Sequence, residues 1–283
     1  MSAEMWVILT AVLAAVTCGW IGTFLVLRQN AMLGDAISHA VLPGLVIGFL
    51  LTSSRAVLPM IIGAAAMGLL TAYLTEVLRR SGRVYGDAAL TVVFTLLFAV
   101  GVILVSAYAG QIDFDQECVL YGEIAYSPWD RFVVGTTDLG PRAVWILSGA
   151  LLLNVAFVLL FYKQLKITSF DPQMAQVVGI SPRRWHYLLM AMVSLTVVAS
   201  FELVGAILVV AMLIIPGAVG TLLSQRLPLV LAIAVVTGVI AAVGGYYAAA
   251  VFDASIAGFM AVVGGVLFVV AVFGSRALER LRA

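Results

Sequence analysis

Asp35 and His39 are the two residues whose types and spacing best suit chemistry. They lie four positions apart in the segment Gly34-Asp-Ala-Ile-Ser-His-Ala40, so a helix would place both side chains on one face. A carboxylate oxygen and an imidazole nitrogen together suit borderline divalent metals such as Mn²⁺, Fe²⁺ or Zn²⁺, and suit Na⁺ or K⁺ poorly. Two ligands hold a metal only transiently, which is typical of a conduction site.

A structural role is the alternative for both side chains. Asp35 could cap the N-terminus of its helix, and His39 could hydrogen-bond to a neighbouring helix, as polar residues in membrane bundles do. The spacing by itself leaves both interpretations open.

The composition of the chain indicates that it lies in a lipid bilayer. Of its 283 residues 64% are hydrophobic and only 10% are charged, and its mean hydropathy is +1.17, whereas soluble domains carry about 25% charged residues. Backbone polar groups must be paired within a bilayer, so spanning segments are helices or closed barrels, and continuous apolar runs lack the alternation of a barrel. We therefore predict an all-α, polytopic transmembrane helical bundle that forms one domain over residues 1–283.

Apolar runs that suit a bilayer crossing of about 20 residues recur along the chain and predict eight or nine spans. The first is too long for a signal-peptide core and no basic residue precedes it, so we expect a true span. The count depends on Tyr187–Leu223, which forms either two helices around a tight turn or one helix and a broken one. The runs are Met5–Leu27, Ile37–Leu51, Ala56–Leu78, Ala88–Tyr108, Ala143–Tyr162, Trp185–Phe201, Leu203–Leu223, Leu227–Val251 and Ile256–Phe273.

The distribution of basic residues predicts the orientation, because cytoplasmic loops collect Lys and Arg. With nine spans and the N-terminus outside, twelve of the fifteen basic residues fall on the cytoplasmic side, and the C-terminus is cytoplasmic. The polar stretch 109–142 then becomes an external loop with six carboxylates and two arginines. Such a loop weakly favours an arriving cation or is simply a solvated loop, since screening weakens exposed charges.

Glu202 is a second candidate for the ion pathway. Ionisable groups at membrane depth are costly and are therefore candidates for function. Glu202 lies where the apolar stretch must turn or break, so it could pass a cation inward from an external mouth, or it could be a solvated residue at a helix end.

The segment 168–182 has the pattern of a short capped helix between two spans. Asp171 resembles an N-cap, Pro172 suits the first helical position and Gly179 resembles a C-terminal stop. A two-turn helix on the cytoplasmic side suits docking to a soluble partner, and a plain connector is the alternative.

Several classes of function are disfavoured by missing motifs. The sequence contains no GxxxxGK[ST] phosphate loop, so ATP would have to be hydrolysed by a partner, unless an ion gradient drives a secondary transporter. The sequence also lacks an HExxH pair and a convincing nucleophile and base, which argues against a membrane-embedded hydrolase. With a net charge of +1 and no basic patch with interleaved aromatics, the chain is not expected to bind nucleic acid.

Three motifs resemble those of the zinc/manganese/iron permease family of bacterial ABC importers. They are Gly34–Gly44, which includes Asp35 and His39; Asp171–Ser181; and Val204–Ala218. They occur in the family's order with matching hydropathy, and the likeness runs almost from end to end. The segment Cys118–Arg131 further resembles the manganese-type branch.

The resemblance implies a type II ABC importer-like permease in the bacterial plasma (inner) membrane. It implies two permease subunits, homologous or identical, two cytoplasmic ATPases and an external metal-binding protein. The Asp and His of the family's motif match Asp35 and His39, which implies that these residues coordinate the transported metal. Asp171, Pro172, Ala175 and Gly179 correspond to the coupling helix that docks on the ATPase. No permanently bound cofactor and no enzymatic activity of the chain itself are expected.

Overall fold

The computed structural model describes residues 2–52, 57–80, 86–108, 124–134 and 137–282. Within these residues the chain forms helices joined by short connections, with one small antiparallel hairpin. The helices are α1 Ala3–Leu27, α2 Met32–Thr52, α3 Val57–Arg80, α4 Gly86–Tyr108, α5 Arg142–Leu160, α6 Tyr162–Phe170, α7 Pro172–Val177, α8 Pro182–Val204, α9 Ala206–Leu223, α10 Leu227–Phe252 and α11 Ile256–Arg282; the strands are β1 Arg131–Val134 and β2 Thr137–Pro141.

Nine of the described helices have 18 residues or more, and seven of them are both long and apolar enough to cross a membrane. These seven are α1, α4, α5, α8, α9, α10 and α11. The chain is thus a multi-pass membrane protein, whereas the expected count of eight or nine spans is not confirmed by this measure. The difference lies in α2 and α3.

The core is organised around α1. This helix packs against α5, α9 and α10, and α11 closes the group against α9 and α10. Small side chains such as Ala11, Ala14 and Ala15 are fully or almost fully buried along α1, which lets the helices approach closely without large side chains between them. A second group forms where α2 packs against α3 and α4, and α8 links it to α1.

The bundle has two distinct ends, which α1 connects. At its start, Trp6 lies against Gly140 of the β1–β2 hairpin. At its other end, Arg28 lines a cavity together with Arg79, Arg80 and Arg183. We call this the arginine end and the opposite one the hairpin end.

The stretch Tyr187–Leu223 contributes to two helices joined by a tight turn, which is the first of the two predicted alternatives, rather than one helix and a broken one. α8 begins beside Arg183 at the arginine end, and α9 leads into Arg226, which lies near Lys166 at that same end. The chain therefore reverses at Gly205, whose φ of 78° and ψ of 161° are accessible to glycine and disfavoured for other residues. Pro216 is accommodated inside α9 and does not break it.

Much of the predicted external loop 109–142 lies outside the described residues. This includes Cys118 and four of the six carboxylates, Asp113, Asp115, Glu117 and Glu123. The described part forms a 3₁₀ turn at Ile124–Tyr126 and the β1–β2 hairpin before α5 begins at Arg142. The proposed effect of the acidic loop on cations stays a prediction.

Candidate metal site

Asp35 and His39 share one face of α2. Asp35 is the fourth residue of the helix, so it is not the N-cap and the capping alternative is wrong. His39 Nε2 lies 3.5 Å from Asp35 Oδ1, and each side chain is 38% exposed. The two donor groups are therefore adjacent and accessible, as a transient metal site requires.

Two phenylalanines of α4 flank the imidazole of His39. The Phe94 ring stacks on it with centroids 6.0 Å apart, and the Phe98 ring meets it edge-on at 6.1 Å. The rings restrict the orientation of His39 while its Nε2 points to the carboxylate. The sequence did not identify these two residues, because α4 is almost entirely apolar after Asp87 and carries no pattern that distinguishes one face.

The backbone beside the site is also unusual. The Ser38 hydroxyl donates to the Asp35 carbonyl oxygen at 2.7 Å. Pro43 lies inside α2, and without an N–H it cannot donate to the carbonyl oxygen of His39 four residues earlier. The helix is thus locally weakened on the C-terminal side of the candidate ligand.

In the part of the chain that the structure describes, no group of three or more His, Cys, Asp or Glu side chains could hold a metal ion. Asp35 and His39 stand as a pair. Glu202 is in the last turn of α8, next to the reversal at Gly205. Its side chain is not among those that the structure describes. Its pathway role stays a prediction.

A cavity of about 830 Å³ opens at the arginine end. Its lining includes Arg28, Arg79, Arg183, Glu76 and His186. Glu76 forms ion pairs with Arg79 at 2.6 Å and with Arg80 at 2.7 Å. The histidine is half-buried in this wall, well separated in the sequence from the Asp35 and His39 pair.

The short helix α7 forms within the predicted segment 168–182. Asp171 accepts a hydrogen bond from the Met174 N–H at 2.8 Å, and Pro172 is the first helical residue. At the other end Gly179, with a φ of 83°, donates to the Gln176 carbonyl at 3.0 Å, and Ile180 donates to the Ala175 carbonyl at 2.8 Å. These bonds are those of a Schellman motif, which ends a helix at a left-handed residue.

Several apolar side chains are exposed on α7 and at its C-terminal end. Ala175 is completely buried, whereas Met174, Val177 and Val178 are 50%, 82% and 57% exposed. Burying such side chains against another protein is favourable, so this face has the character of a docking surface.

Comparisons with known proteins agree with this architecture. The model of the ABC 3 transport family matches residues 2–275. The chain is 52% identical over 268 residues to the manganese transport system membrane protein MntD of Bacillus subtilis (strain 168), covering 95% of this chain and 90% of that protein. It is 41% identical over 265 residues to the zinc transport system membrane protein TroD of Treponema pallidum (strain Nichols), covering 93% and 72%.

A solved structure shares the fold. PsaBC from Streptococcus pneumoniae, determined in complex with Fab, superposes with a TM-score of 0.81 and 28% sequence identity, covering 100% of this chain and 96% of that one. The resemblance to zinc/manganese/iron permeases is thereby confirmed. The chain is a transport subunit rather than an enzyme, and the ATPase is a separate subunit. By sequence and by fold, the protein belongs to the ABC 3 transport family of membrane permeases.

Proposed function

We propose that this chain is the permease subunit of an ATP-driven importer for a divalent transition metal, with Asp35 and His39 as metal ligands. The observation that carries the proposal is the adjacency of these two side chains, 3.5 Å apart and partly exposed on α2. The similarity to a manganese transport protein over 95% of the chain favours Mn²⁺. Relatives named for zinc and chelated iron transport make Zn²⁺ and Fe²⁺ the alternatives.

Two ligands from one chain point to a shared site. Protein sites for such metals commonly use four or more ligands, and in the described residues Asp35 and His39 have no third His, Cys, Asp or Glu beside them. A second permease subunit, homologous or identical, would contribute an equivalent pair across a two-fold axis. Four ligands shared between two subunits can be separated when the subunits move, which suits transient binding.

The arginine end is proposed to face the cytoplasm. It gathers Arg28, Arg79, Arg80 and Arg183 around one cavity, and positively charged residues favour the cytoplasmic side. The N-terminus and the hairpin end are then external, the C-terminus is cytoplasmic, and α7 lies in the cytoplasm. An external metal-binding protein would deliver the ion to the hairpin end.

ATP-dependent uptake tests the proposed function. The complex, purified from native membranes through a tag on this chain, is reconstituted in proteoliposomes, and uptake of ⁵⁴Mn²⁺ and ⁶⁵Zn²⁺ is measured with and without ATP in the ATPase-accessible compartment. We expect uptake only with hydrolysable ATP. Uptake that follows a proton or sodium gradient without ATP would instead favour the secondary-transporter alternative.

The exposed face of α7 is proposed to dock on the ATPase through the segment that Asp171, Pro172, Ala175 and Gly179 shape. Val177→Asp replaces an 82% exposed apolar side chain with a charged one. We expect it to weaken ATPase binding by about tenfold or more while the permease folds normally. Gly179→Val, which strains the left-handed residue, should weaken binding as well.

Co-purification of the ATPase with each variant, quantified on native gels, measures this effect. Leu159→Asn is the control, because it places a polar side chain at an exposed apolar position on α5. It shows whether any polar substitution of an exposed apolar residue weakens the complex. An undisturbed complex with Val177→Asp would contradict the docking role of α7.

A further inference from the structure

Backbone hydrogen bonds hold the turn between α1 and α2, which leads directly to the candidate metal site. The N–H of Asn30 donates to the Leu25 carbonyl at 2.9 Å, and the N–H of Gln29 donates to the Val26 carbonyl at 3.0 Å. Gln29 adopts a φ of 56°, a left-handed conformation that a non-glycine residue keeps only when its surroundings determine it. α2 begins at Met32, and Asp35 is in its first turn.

Arg28, in this turn, reaches across to the last turn of α6, the helix that precedes α7. Its Nε donates to the Ser169 hydroxyl at 3.0 Å, and its Nη2 donates to the Thr168 hydroxyl at 2.8 Å. Thr168 is buried and donates in turn to the Gln164 carbonyl at 2.7 Å. Burial lowers the pKa of Arg28 to about 10, which leaves the guanidinium protonated at neutral pH, so both bonds are charge-assisted.

The two hydroxyls that Arg28 binds lie in the last turn of α6, just before α7. Ser169 is two residues before Asp171, the N-cap of α7. A continuous set of contacts therefore runs from the docking helix through Thr168 and Ser169 to Arg28, and through the α1–α2 turn to the helix that carries Asp35. These residues are about 140 positions apart in the sequence, so only the tertiary structure connects them.

A cavity also lies between the α1–α2 turn and α7. The cavity of about 830 Å³ at the arginine end is lined on one side by Arg28, Gln29 and Asn30 and on the other by Pro172, Gln176 and Gly179. The cavity therefore lies between the turn and the region of α7, where Ala175 is completely buried. The Arg28 guanidinium extends from the turn to the last turn of α6, and both Thr168 and Ser169 also line this cavity.

We infer that Arg28 is a positioning residue that transmits movement of α7 to α2, and so couples ATP hydrolysis to the opening and closing of the site at Asp35 and His39. The inference rests on the proposed function. Coupling of this kind requires a physical link between the elements that move. Arg28 lies in the turn that leads into α2 and bonds to the last turn of α6, which leads into α7. A guanidinium is suited to this role because its planar fork holds two acceptors at once.

The number of metal ions imported per ATP hydrolysed tests the inference. The reconstituted complex is compared with its Arg28→Gln variant, the Thr168→Val/Ser169→Ala double variant and the combined triple variant. We expect each to retain the ATPase and to hydrolyse ATP, while ions imported per ATP fall by about threefold or more. The triple variant should be no worse than Arg28→Gln, because all three changes remove the same link.

Arg184→Gln, at an exposed arginine of the same end, is the matched control and should leave the ratio unchanged. Arg28→Lys, which keeps the charge but lacks the fork, should restore the ratio in part. Equal falls in hydrolysis and uptake, additive effects in the triple variant, or loss of the ATPase from the complex would contradict the role of Arg28. A wild-type complex that hydrolyses ATP without importing Mn²⁺ or Zn²⁺ would contradict the proposed function itself.

Discussion

Asp35→Asn and His39→Gln are each expected to reduce metal uptake by about a hundredfold or more while the permease still assembles with its ATPase. Each change removes one of the two adjacent donor groups on α2. Loss of an outer partner of a metal site alone costs about 10–100-fold in affinity or activity, and these residues are proposed to bind the ion directly. Initial rates of ⁵⁴Mn²⁺ uptake, normalised to the assembled complex, measure the effect.

The chain offers matched controls for both changes. His186→Gln alters the other histidine of the chain, which lines the cavity at the arginine end. Asp253→Asn alters the exposed C-cap residue of α10, whose left-handed conformation Asn adopts readily. Both controls should retain most of the uptake. Normal transport in Asp35→Asn or His39→Gln would contradict their assignment as metal ligands.

A change of ligand type separates a binding role from a structural one. His39→Cys replaces a nitrogen donor with a thiolate, which favours Zn²⁺ over Mn²⁺. We expect the ratio of Zn²⁺ to Mn²⁺ uptake to rise in this variant even if both rates fall. An unchanged ratio would indicate that His39 acts through packing against Phe94 and Phe98 rather than through the metal.

Gly22→Ala is expected to give a large loss of stability for the addition of a single methyl group. A Cβ at Gly22 would overlap the carbonyl oxygen of Leu213 and would lie 2.8 Å from its Cα, so α1 and α9 are in direct backbone contact there. The methyl group must push the two helices apart, and overpacking costs about 1–3 kcal/mol or more. Flexible side-chain adjustment cannot relieve it, because the overlapping atoms belong to the backbone.

Gly149→Ala is the matched control, since a Cβ at this α5 position meets nothing within 4 Å. In a helix interior it should be neutral or stabilising by up to about 1 kcal/mol. The thermal midpoints of the two variants in the same detergent, followed by loss of a monodisperse peak in size exclusion, measure the difference. Equal midpoints would contradict direct contact of α1 with α9.

Local features of the candidate sites follow from the sequence. The cap at Asp171, the proline at Pro172 and the left-handed stop at Gly179 act within one or two helical turns, so neighbouring residues suffice to define α7. The shared face of Asp35 and His39 follows equally from helical periodicity once α2 forms. The position of Asp35 relative to the N-cap did not follow, because α2 begins several residues before the apolar run from which its start was judged.

Long-range contacts did not follow from the sequence. Almost every residue of a membrane helix is apolar, so periodicity does not distinguish the face that meets lipid from the face that meets protein. The rings of Phe94 and Phe98 around His39 are an example. The contacts of Arg28 with Thr168 and Ser169 join polar residues that, taken singly, suit any loop at a membrane boundary.

The sequence by itself determined that this protein is a helical membrane bundle and that Asp35 and His39 share a helix face, because solvent preference and helical period are properties of neighbouring residues. The tertiary structure decided which helices meet. It set Phe94 against His39, the backbone of Leu213 against Gly22, and Arg28 against the last turn of α6. Such contacts depend on close packing between distant segments, and packing of similar apolar surfaces is specified by shape, which composition and spacing do not encode.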